Sequence, residues 1–523
     1  MTASPRGTLR RRRLTLPAAG MAVACLALLA LPAASTAAPA KVGPGAPGAG
    51  DPYFPLDGNG GYDARHYGVT LKLDTDTQAL VGTVVMDAVA TQGLSSFDLD
   101  LHGLAVDGVS VGGRPAMWAR DGQELTVTPS RPLERGDDFR AVVRYHGTPG
   151  LVQTPDGFDN GWFATSDGAS AVGEPPGTST WMPVNEHPKD KALYDITVTV
   201  PKGKAAISNG RLTGSPRTVG GWTTWSWHHT HPMASYLVLL SVGTFDIRTS
   251  RTSTGIPVLD AVDPSLGGAA DAALAREGEV IDTLSQAFGP YPFETAGGVV
   301  DALDTGFALE TQSRPFYSQD FFHGSPDDAW VIAHEIGHQW FGDSVSLQKW
   351  QDIWLNEGFA RYAEWIWYEH EGWVVPSQIL QDYLDYVPAD DPTWNLDISD
   401  PGPIDVFATP VYDRGALVLE ALREQVGDDA FFRTLRTWGS LHRDGNGTTA
   451  QFISLAQRIS RQDLTDLFDT WLFGTGKPAS APAAAGATAL RSVAAARIAT
   501  PGATASARSV FDLLGRHEAL LHG

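Results

Sequence analysis

Two histidines and a glutamate form the string with the clearest chemical potential. His334, Glu335 and His338 stand in the order Ala-His-Glu-Ile-Gly-His. On a helix, residues four apart lie about 6 Å apart along the axis and about 40° apart around it, so both imidazoles can reach one ion. Neutral imidazole suits Zn²⁺, and a glutamate beside the pair can act as a base on a metal-bound water. The string predicts a catalytic zinc site, with a chance match on a tryptophan-rich core helix as the alternative.

A carboxylate further along the chain completes the predicted ligand set. Eighteen residues separate His338 from Glu357, which lies in the string Trp-Leu-Asn-Glu-Gly-Phe. Two histidines and one carboxylate leave the fourth position of a tetrahedral zinc free for water, as a catalytic site requires. A structural zinc needs four protein ligands, and the single cysteine, Cys25, excludes every site built on thiolates. We therefore predict one zinc per chain, held by His334, His338 and Glu357.

Two predicted helices carry these groups. The residues Ser-Pro-Asp-Asp at 325–328 supply an N-cap, a proline at the first helical position and acids in the first turn, so the first helix is expected over Asp327–Gly342. Apolar periodicity predicts the second over Leu355–His370. Glu364 lies on the same face of that helix as Glu357, where it either orients a zinc ligand or faces solvent.

Further strings accompany the metal motif in a characteristic order. In chain order they are Glu174-Pro175, Met182-Pro183, Ser208-Asn209-Gly210, Pro232–Leu237, Gly306–Thr311 and Pro410–Ala416. Together with the two-histidine motif they resemble the zinc aminopeptidases typified by membrane alanyl aminopeptidase and leukotriene hydrolase, over about residues 55–475. The string Gly306–Thr311 departs from that family's Gly-x-Met-Glu-Asn motif at Phe307, Leu309 and Thr311, but it keeps Glu310.

The resemblance implies roles for three more side chains. Glu310 and Glu174 are expected to bind the free ammonium at the substrate's N-terminus through charge-assisted hydrogen bonds. Tyr412 is expected to stabilise the oxyanion that forms when zinc-activated water attacks, with Glu335 as the general base. Without the resemblance, the glutamates read as surface acids and Tyr412 as a half-buried aromatic residue.

Strand and helix patterns divide the chain into two regions. Short β-like runs, such as Ala79–Ala90 and Tyr236–Val242, recur up to Ser250, and helical periodicity follows, as in Ala269–Ala287. We predict a β domain over residues 61–250 and a catalytic domain over residues 251–476. The resemblance implies that the first is sandwich-like and the second thermolysin-like and mainly α. Since 47 residues follow Gly476, the family's large helical C-terminal domain is expected to be absent and the cleft more open.

Both ends of the chain differ in composition from the middle. Arg6, the run Arg10–Arg13 and the apolar stretch Ala18–Leu31 predict a signal peptide over residues 1–40, and hence secretion by the general or the twin-arginine route. The Gly/Pro-rich residues 41–60 are expected to be a flexible lead-in, and residues 477–523 a mostly disordered tail.

Charge narrows the choice of partner. The 60 acidic residues exceed the 38 basic ones, for a net charge of −22, which argues against nucleic acids and anionic membrane surfaces. No membrane insertion is expected for the mature chain. The predicted partners are peptides with a free N-terminus, and the sequence assigns no oligomeric state. Two alternatives use the same zinc site: a thermolysin-like endopeptidase or epoxide hydrolase, and an inactive zinc protein that only binds.

Overall fold

The computed structural model describes residues 42–482. The predicted signal peptide and nearly all of the predicted tail lie outside these residues. Within the part described, no helix is both long enough and apolar enough to cross a membrane.

The N-terminal region is built from short strands. In chain order they are β1 (Val42–Pro44), β2 (Tyr62–Asp74), β3 (Ala79–Ala90), β4 (Gly93–Asp100), β5 (Ala105–Val111), β6 (Arg114–Pro115), β7 (Met117–Asp121), β8 (Glu124–Thr128), β9 (Asp138–Gly147), β10 (Leu151–Gln153), β11 (Asp159–Ala164), β12 (Ala169–Val172), β13 (Ala192–Pro201), β14 (Ala205–Ser208), β15 (Arg211–Leu212), β16 (Arg217–Val219), β17 (Trp222–Met233), β18 (Leu240–Gly243) and β19 (Asp246–Arg251).

A nine-stranded sheet forms the frame of this region. Its order is β15-β17-β13-β2-β3-β9-β5-β6, with β16 also on β17. Apolar and polar residues alternate along β2, so Tyr67, Val69 and Leu71 face the core while the residues between them are more exposed. A five-stranded sheet, β10-β11-β12-β18-β14, and a four-stranded sheet, β1-β4-β8-β7, complete the β region.

Helices dominate the rest of the described chain. The remaining strands are β20 (Pro257–Val262), β21 (Val299–Asp301), β22 (Ala308–Leu309), β23 (Phe316–Ser318), β24 (Val345–Leu347) and β25 (Gly445–Gly447). The helices are α1 (Asp271–Leu274), α2 (Glu277–Phe288), α3 (Ala329–His338), α4 (Trp354–Glu371), α5 (Pro376–Tyr386), α6 (Pro392–Asn395), α7 (Thr409–Val426), α8 (Asp428–Leu441), α9 (Thr449–Ser460) and α10 (Thr465–Trp471).

Glycines bring the three central helices into backbone contact. A Cβ on Gly337 of α3 would lie 2.6 Å from the Cβ of Ala363 on α4. A Cβ on Gly358 of α4 would lie 2.8 Å from the Cα of Gly415 on α7. Only glycine fits at such close approaches. The helices that carry the predicted zinc ligands and Tyr412 are therefore packed at fixed, short separations.

The predicted fold class is confirmed: a β-rich N-terminal region precedes a helical catalytic region. The predicted boundary at residue 250 falls inside β19, which pairs antiparallel with β20 in one sheet with the order β19-β20-β21-β23-β22. One cluster of buried apolar side chains runs from Tyr67 in the β region to Ile336 in the helices, so the two regions share a core.

Three local predictions differ from the structure. Tyr236–Val242 is not one strand, because Ser235–Leu237 forms a 3-10 turn before β18. The helix over Ala269–Ala287 is broken where the amide of Arg276 bonds to the carbonyl of Ala273, three residues back instead of four. The helix expected to reach Gly342 ends at His338, where the amides of Gln339 and Trp340 bond to carbonyls three residues back instead of four.

The segment after residue 41 also differs from the expected flexible lead-in. The strand β1 pairs in parallel with β4. Asp51 is buried, and its carboxylate accepts a hydrogen bond from the amide of Trp350 at 2.9 Å. Composition alone predicted flexibility, whereas a buried carboxylate with a distant partner ties this segment to the catalytic region.

Candidate metal centre and active site

The three predicted zinc ligands converge on one point. The Nε2 atoms of His334 and His338 are 3.2 Å apart. A carboxylate oxygen of Glu357 lies 3.4 Å from the first and 3.3 Å from the second. Tetrahedral ligands at about 2.0–2.1 Å from a zinc ion are separated by about 3.3 Å. The three donor atoms therefore fit a tetrahedral zinc and leave its fourth position to a non-protein ligand.

Hydrogen bonds on the far side of each imidazole orient these donors. The Nδ1 atom of His334 lies 2.6 Å from a carboxylate oxygen of Glu364. The Nδ1 atom of His338 lies 3.2 Å from the carbonyl oxygen of Phe341. When Nδ1 donates its hydrogen to such an oxygen, the lone pair of Nε2 is free for the metal.

Glu364 is itself held firmly. The guanidinium of Arg361 lies 3.1 Å from it, and the hydroxyl of Tyr368 donates to it at 3.0 Å. Its side chain is fully buried. Of the two interpretations of Glu364, the structure favours the one in which it orients a ligand.

The charges at the ligands suit a cation. Burial lowers the pKa of His334, but hydrogen bonds to Glu357 and Glu364 outweigh this and raise it to about 9. Burial raises the pKa of Glu357, but His338 and His334 lower it to about 2. The carboxylates thus stabilise positive charge at the imidazoles. A bound metal ion would supply that positive charge in place of the protons.

Glu335 lies beside the ligand cluster on α3. Oxygens of Glu335 and Glu310 and a ring nitrogen of His338 all lie within 4.8 Å of one another. Burial raises the pKa of Glu335 to about 8. A carboxyl group with a pKa near neutrality can both accept and return a proton, which is the property of a general base.

The two glutamates expected to bind an ammonium lie in the same cavity, of about 80 Å³, as the ligand cluster. Glu310 is buried at the end of β22 and accepts a hydrogen bond from the hydroxyl of Tyr236 at 3.1 Å. The backbone amide of Glu174 bonds to Asn160. Within residues 42–482, the buried Oε1 atom of Glu174 has no hydrogen-bond partner. These carboxylates are available to a cationic group of a ligand.

Tyr412 also lines this cavity. It is on the first turn of α7, and its ring stacks on that of His334 with centroids 5.9 Å apart. Burial raises the pKa of Tyr412 well above its usual value, so the phenol keeps its proton and can donate it in a hydrogen bond. The structure thus brings all seven predicted site residues together around one cavity.

A larger groove elsewhere lacks this chemistry. It has a volume of about 750 Å³ and lies on the β region around Arg131 and Phe139. Its lining includes none of the predicted site residues.

Comparisons with known proteins agree with this geometry. Residues 63–237 match the peptidase M1 N-terminal domain, and residues 324–471 match the peptidase family M1 domain. An M1 zinc metallopeptidase from Deinococcus radiodurans aligns with a TM-score of 0.76 and 29% identity, over 83% of this chain and 100% of that one. A mutant of that enzyme aligns with a TM-score of 0.75 and 30% identity, over 83% and 99% of the two chains. The chain belongs to peptidase family M1.

A curated M1 relative extends the comparison. Glutamyl aminopeptidase from Sus scrofa is 28% identical over 453 residues, which cover 79% of this chain and 47% of the relative. This M1 chain therefore spans about half the length of that relative, and about a third of the bovine glutamyl aminopeptidase. Zinc is the metal of the aligned M1 structures and is the ion expected here.

Two positioning residues of this M1 site escaped sequence reasoning. Tyr236 lies within the string Pro232–Leu237, but that string indicated only the β domain, and nothing in it pointed to Glu310. Arg361 bonds Glu364 and also Asp413, at 2.9 Å, which links α4 to α7. The signal for Arg361 was its spacing, since it follows Glu357 by one helical turn on the same helix.

Proposed function

We propose that this chain is a secreted zinc aminopeptidase that hydrolyses the first residue from peptides with a free N-terminus. The observation that carries the proposal is the position of Glu174 and Glu310. Both carboxylates line the cavity that also contains the metal-ligand cluster. An ammonium bound between them would place the first peptide bond of a substrate next to the metal centre.

Each group has a distinct task in the proposed reaction. When bound by His334, His338 and Glu357, zinc supplies a Lewis acid that polarises the carbonyl and lowers the pKa of water. Glu335 takes a proton from the attacking water on its carboxylate and returns it to the nitrogen of the leaving amine. The hydroxyl of Tyr412 donates a hydrogen bond to the carbonyl oxygen as negative charge builds on it.

The same carboxylates favour an aminopeptidase over the endopeptidase alternative. An internal peptide segment brings no positive charge to Glu174 and Glu310, so two buried carboxylates would lie against an uncharged backbone at a desolvation cost. Similar structures support this preference: a mutant of the Deinococcus enzyme is bound to a Tyr-Ser-Ala substrate, and two M1 zinc metallopeptidase mutants are bound to single amino acids.

Secretion is proposed from the N-terminal sequence. The basic start and the apolar stretch Ala18–Leu31 are typical of a secretory signal. Detection of the mature N-terminus near residue 40 in culture medium would test this part.

The activity is tested with matched pairs of aminoacyl amides and their N-acetylated forms. We expect hydrolysis of the free-amine forms, which chelation abolishes and zinc restores. Equal cleavage of acetylated peptides at internal bonds would replace the proposal with the endopeptidase alternative.

The relatives do not determine which first residue is preferred. The pig enzyme's name specifies a glutamyl residue, whereas the Deinococcus complex contains a peptide that begins with tyrosine. The preference has to come from this chain's own cavity.

A further inference from the structure

A second cavity adjoins the active-site cavity. It has a volume of about 120 Å³. Four residues line both cavities: Glu174, Phe307, Ala308 and Tyr412. A substrate whose ammonium lies at Glu174 and whose carbonyl lies near Tyr412 has its first Cα between these two residues. The second cavity is therefore the space next to the first side chain.

Three phenylalanines from separate parts of the chain line this second cavity. Phe158 comes from the turn between β10 and β11, Phe307 precedes β22, and Phe407 precedes α7. Phe307 is supported by an edge-to-face contact with Phe163, at 6.0 Å between centroids. Phe407 packs against the main core. Phe158 is 41% exposed, so part of its ring surface is free to be covered by a ligand.

The charged side chains that line the second cavity are all acidic. They are Asp156 and Glu174. Among residues 42–482, no lysine, arginine or histidine lines this cavity. An acidic side chain would enter beside two carboxylates with no cation to pair with, which is unfavourable in a partly desolvated site.

We propose that this cavity receives the side chain of the substrate's first residue and selects aromatic and long apolar side chains over small ones, and rejects acidic ones. The proposal rests on the proposed aminopeptidase function. Aromatic rings gain edge-to-face and stacking contacts with the three phenylalanines as well as apolar burial.

The wild-type holoenzyme tests the preference directly. The probes are the amides of phenylalanine, leucine, alanine, glutamate and arginine, each with a free amine and each with an acetylated one. We expect kcat/KM to be about tenfold or more higher for phenylalanine and leucine amides than for alanine amide, because each buried methylene discriminates. Glutamate amide should rank below alanine amide.

The two proposals fail in different ways in this assay. If free-amine substrates are cleaved but glutamate amide is preferred, or alanine amide equals phenylalanine amide, the side-chain selection is overturned and the aminopeptidase function stands. If acetylated substrates are cleaved as well as free ones, the aminopeptidase function itself fails.

Two phenylalanine variants test whether the side-chain selection arises in the second cavity. Phe158→Ala should lower the ratio of kcat/KM for phenylalanine amide over alanine amide by about three- to tenfold, the scale of an aromatic pair. The matched control is Phe473→Ala, because Phe473 is 42% exposed and lies outside both cavities. An unchanged ratio in the first variant, or an equal fall in the control, would overturn the role of Phe158.

Asp156→Asn tests the charge alone. The Oδ1 atom of Asp156 accepts hydrogen bonds from Thr154 and from the amide of Phe158, and asparagine keeps that acceptor. Glutamate amide should gain and arginine amide should lose about two- to fivefold in kcat/KM, the range of a solvent-screened charge pair. Changes of the same sign for both substrates would assign Asp156 a purely structural role and overturn the charge selection.

Discussion

The two ends of the active-site cavity are built differently. At the metal end, the ligands lie on two packed helices, and each imidazole has an oxygen partner on its far nitrogen. At the amine end, Glu174 and Glu310 come from distant parts of the chain, and within residues 42–482 the Oε1 atom of Glu174 has no partner. The donors at the metal end are therefore already oriented by hydrogen bonds, whereas under the proposed function the ammonium of the substrate would supply the missing partner at the amine end.

The difference has a physical reason. A metal site must hold its donors in one geometry, so hydrogen bonds fix the direction of each lone pair. A site for an ammonium gains selectivity from buried carboxylates that keep oxygens without a donor, because a cation bound there offsets their desolvation. Substitutions of the metal ligands and of the groups that orient them should therefore alter metal content, and substitutions at the amine end should alter substrate choice.

Removal of the metal should have the largest effect. Chelation should abolish hydrolysis and added zinc should restore it, because the donor atoms described above are the protein's whole predicted contribution to the metal. The double substitution of His334 and His338 by alanine should lose zinc, measured by atomic absorption. Near-stoichiometric zinc in that variant would contradict the ligand assignment.

Glu335→Gln should separate catalysis from metal binding. Glutamine keeps the size of the side chain but removes the base, so kcat should fall by about 10²–10⁴-fold. Zinc content should stay near one per chain. A variant that keeps a tenth of the wild-type turnover would exclude Glu335 as the base.

Glu310→Gln should affect only substrates with a free amine. The loss of a charge-assisted hydrogen bond, about 1.5–3 kcal/mol, corresponds to a fall of about ten- to 150-fold in kcat/KM. Acetylated substrates should be poor for both forms. Glu134→Gln, at an exposed glutamate of the β region, is the control and should leave activity unchanged.

Glu364→Gln should weaken zinc binding and leave the amine end intact. Groups that orient a ligand typically contribute about ten- to 100-fold in metal affinity. Competition with a chromophoric chelator measures the change. Glu369→Gln on the same helix, where the side chain bonds Arg423 instead, should show no such loss.

Tyr236→Phe should have the smallest effect. It removes the hydroxyl that donates to Glu310 but keeps the buried ring. A net hydrogen bond of about 0.5–1.5 kcal/mol predicts a rise of about two- to twelvefold in KM for free-amine substrates. A fall in kcat with KM unchanged would show that Tyr236 does not act through substrate binding.

The metal end could be predicted from the sequence because its chemistry is local. Helical spacing places His334 and His338 on one face of a helix. Glu357 supplies the third ligand type, a carboxylate, after a spacing of eighteen residues. The capping residues at 325–328 also predicted the helix start, where Ser325 and Asp328 form a reciprocal cap. Local patterns of this kind require no knowledge of the tertiary fold.

The amine end could not be predicted in this way. The partnership of Glu174, Glu310 and Tyr236 depends on how β strands, a 3-10 turn and an edge strand meet, and no spacing encodes it. Only the resemblance pointed to the two glutamates, and it was silent on Tyr236 and on the phenylalanines of the second cavity.

The contact between Gly358 and Gly415 has a consequence for tolerance to change. Gly358 follows Glu357 directly, and Gly415 lies three residues after Tyr412, so this contact sets the separation between the predicted metal ligand and the proposed oxyanion donor. A single methyl group at either glycine would force α4 and α7 apart. The proposed active site would then lose the alignment of Glu357 with Tyr412, although both side chains would still be present.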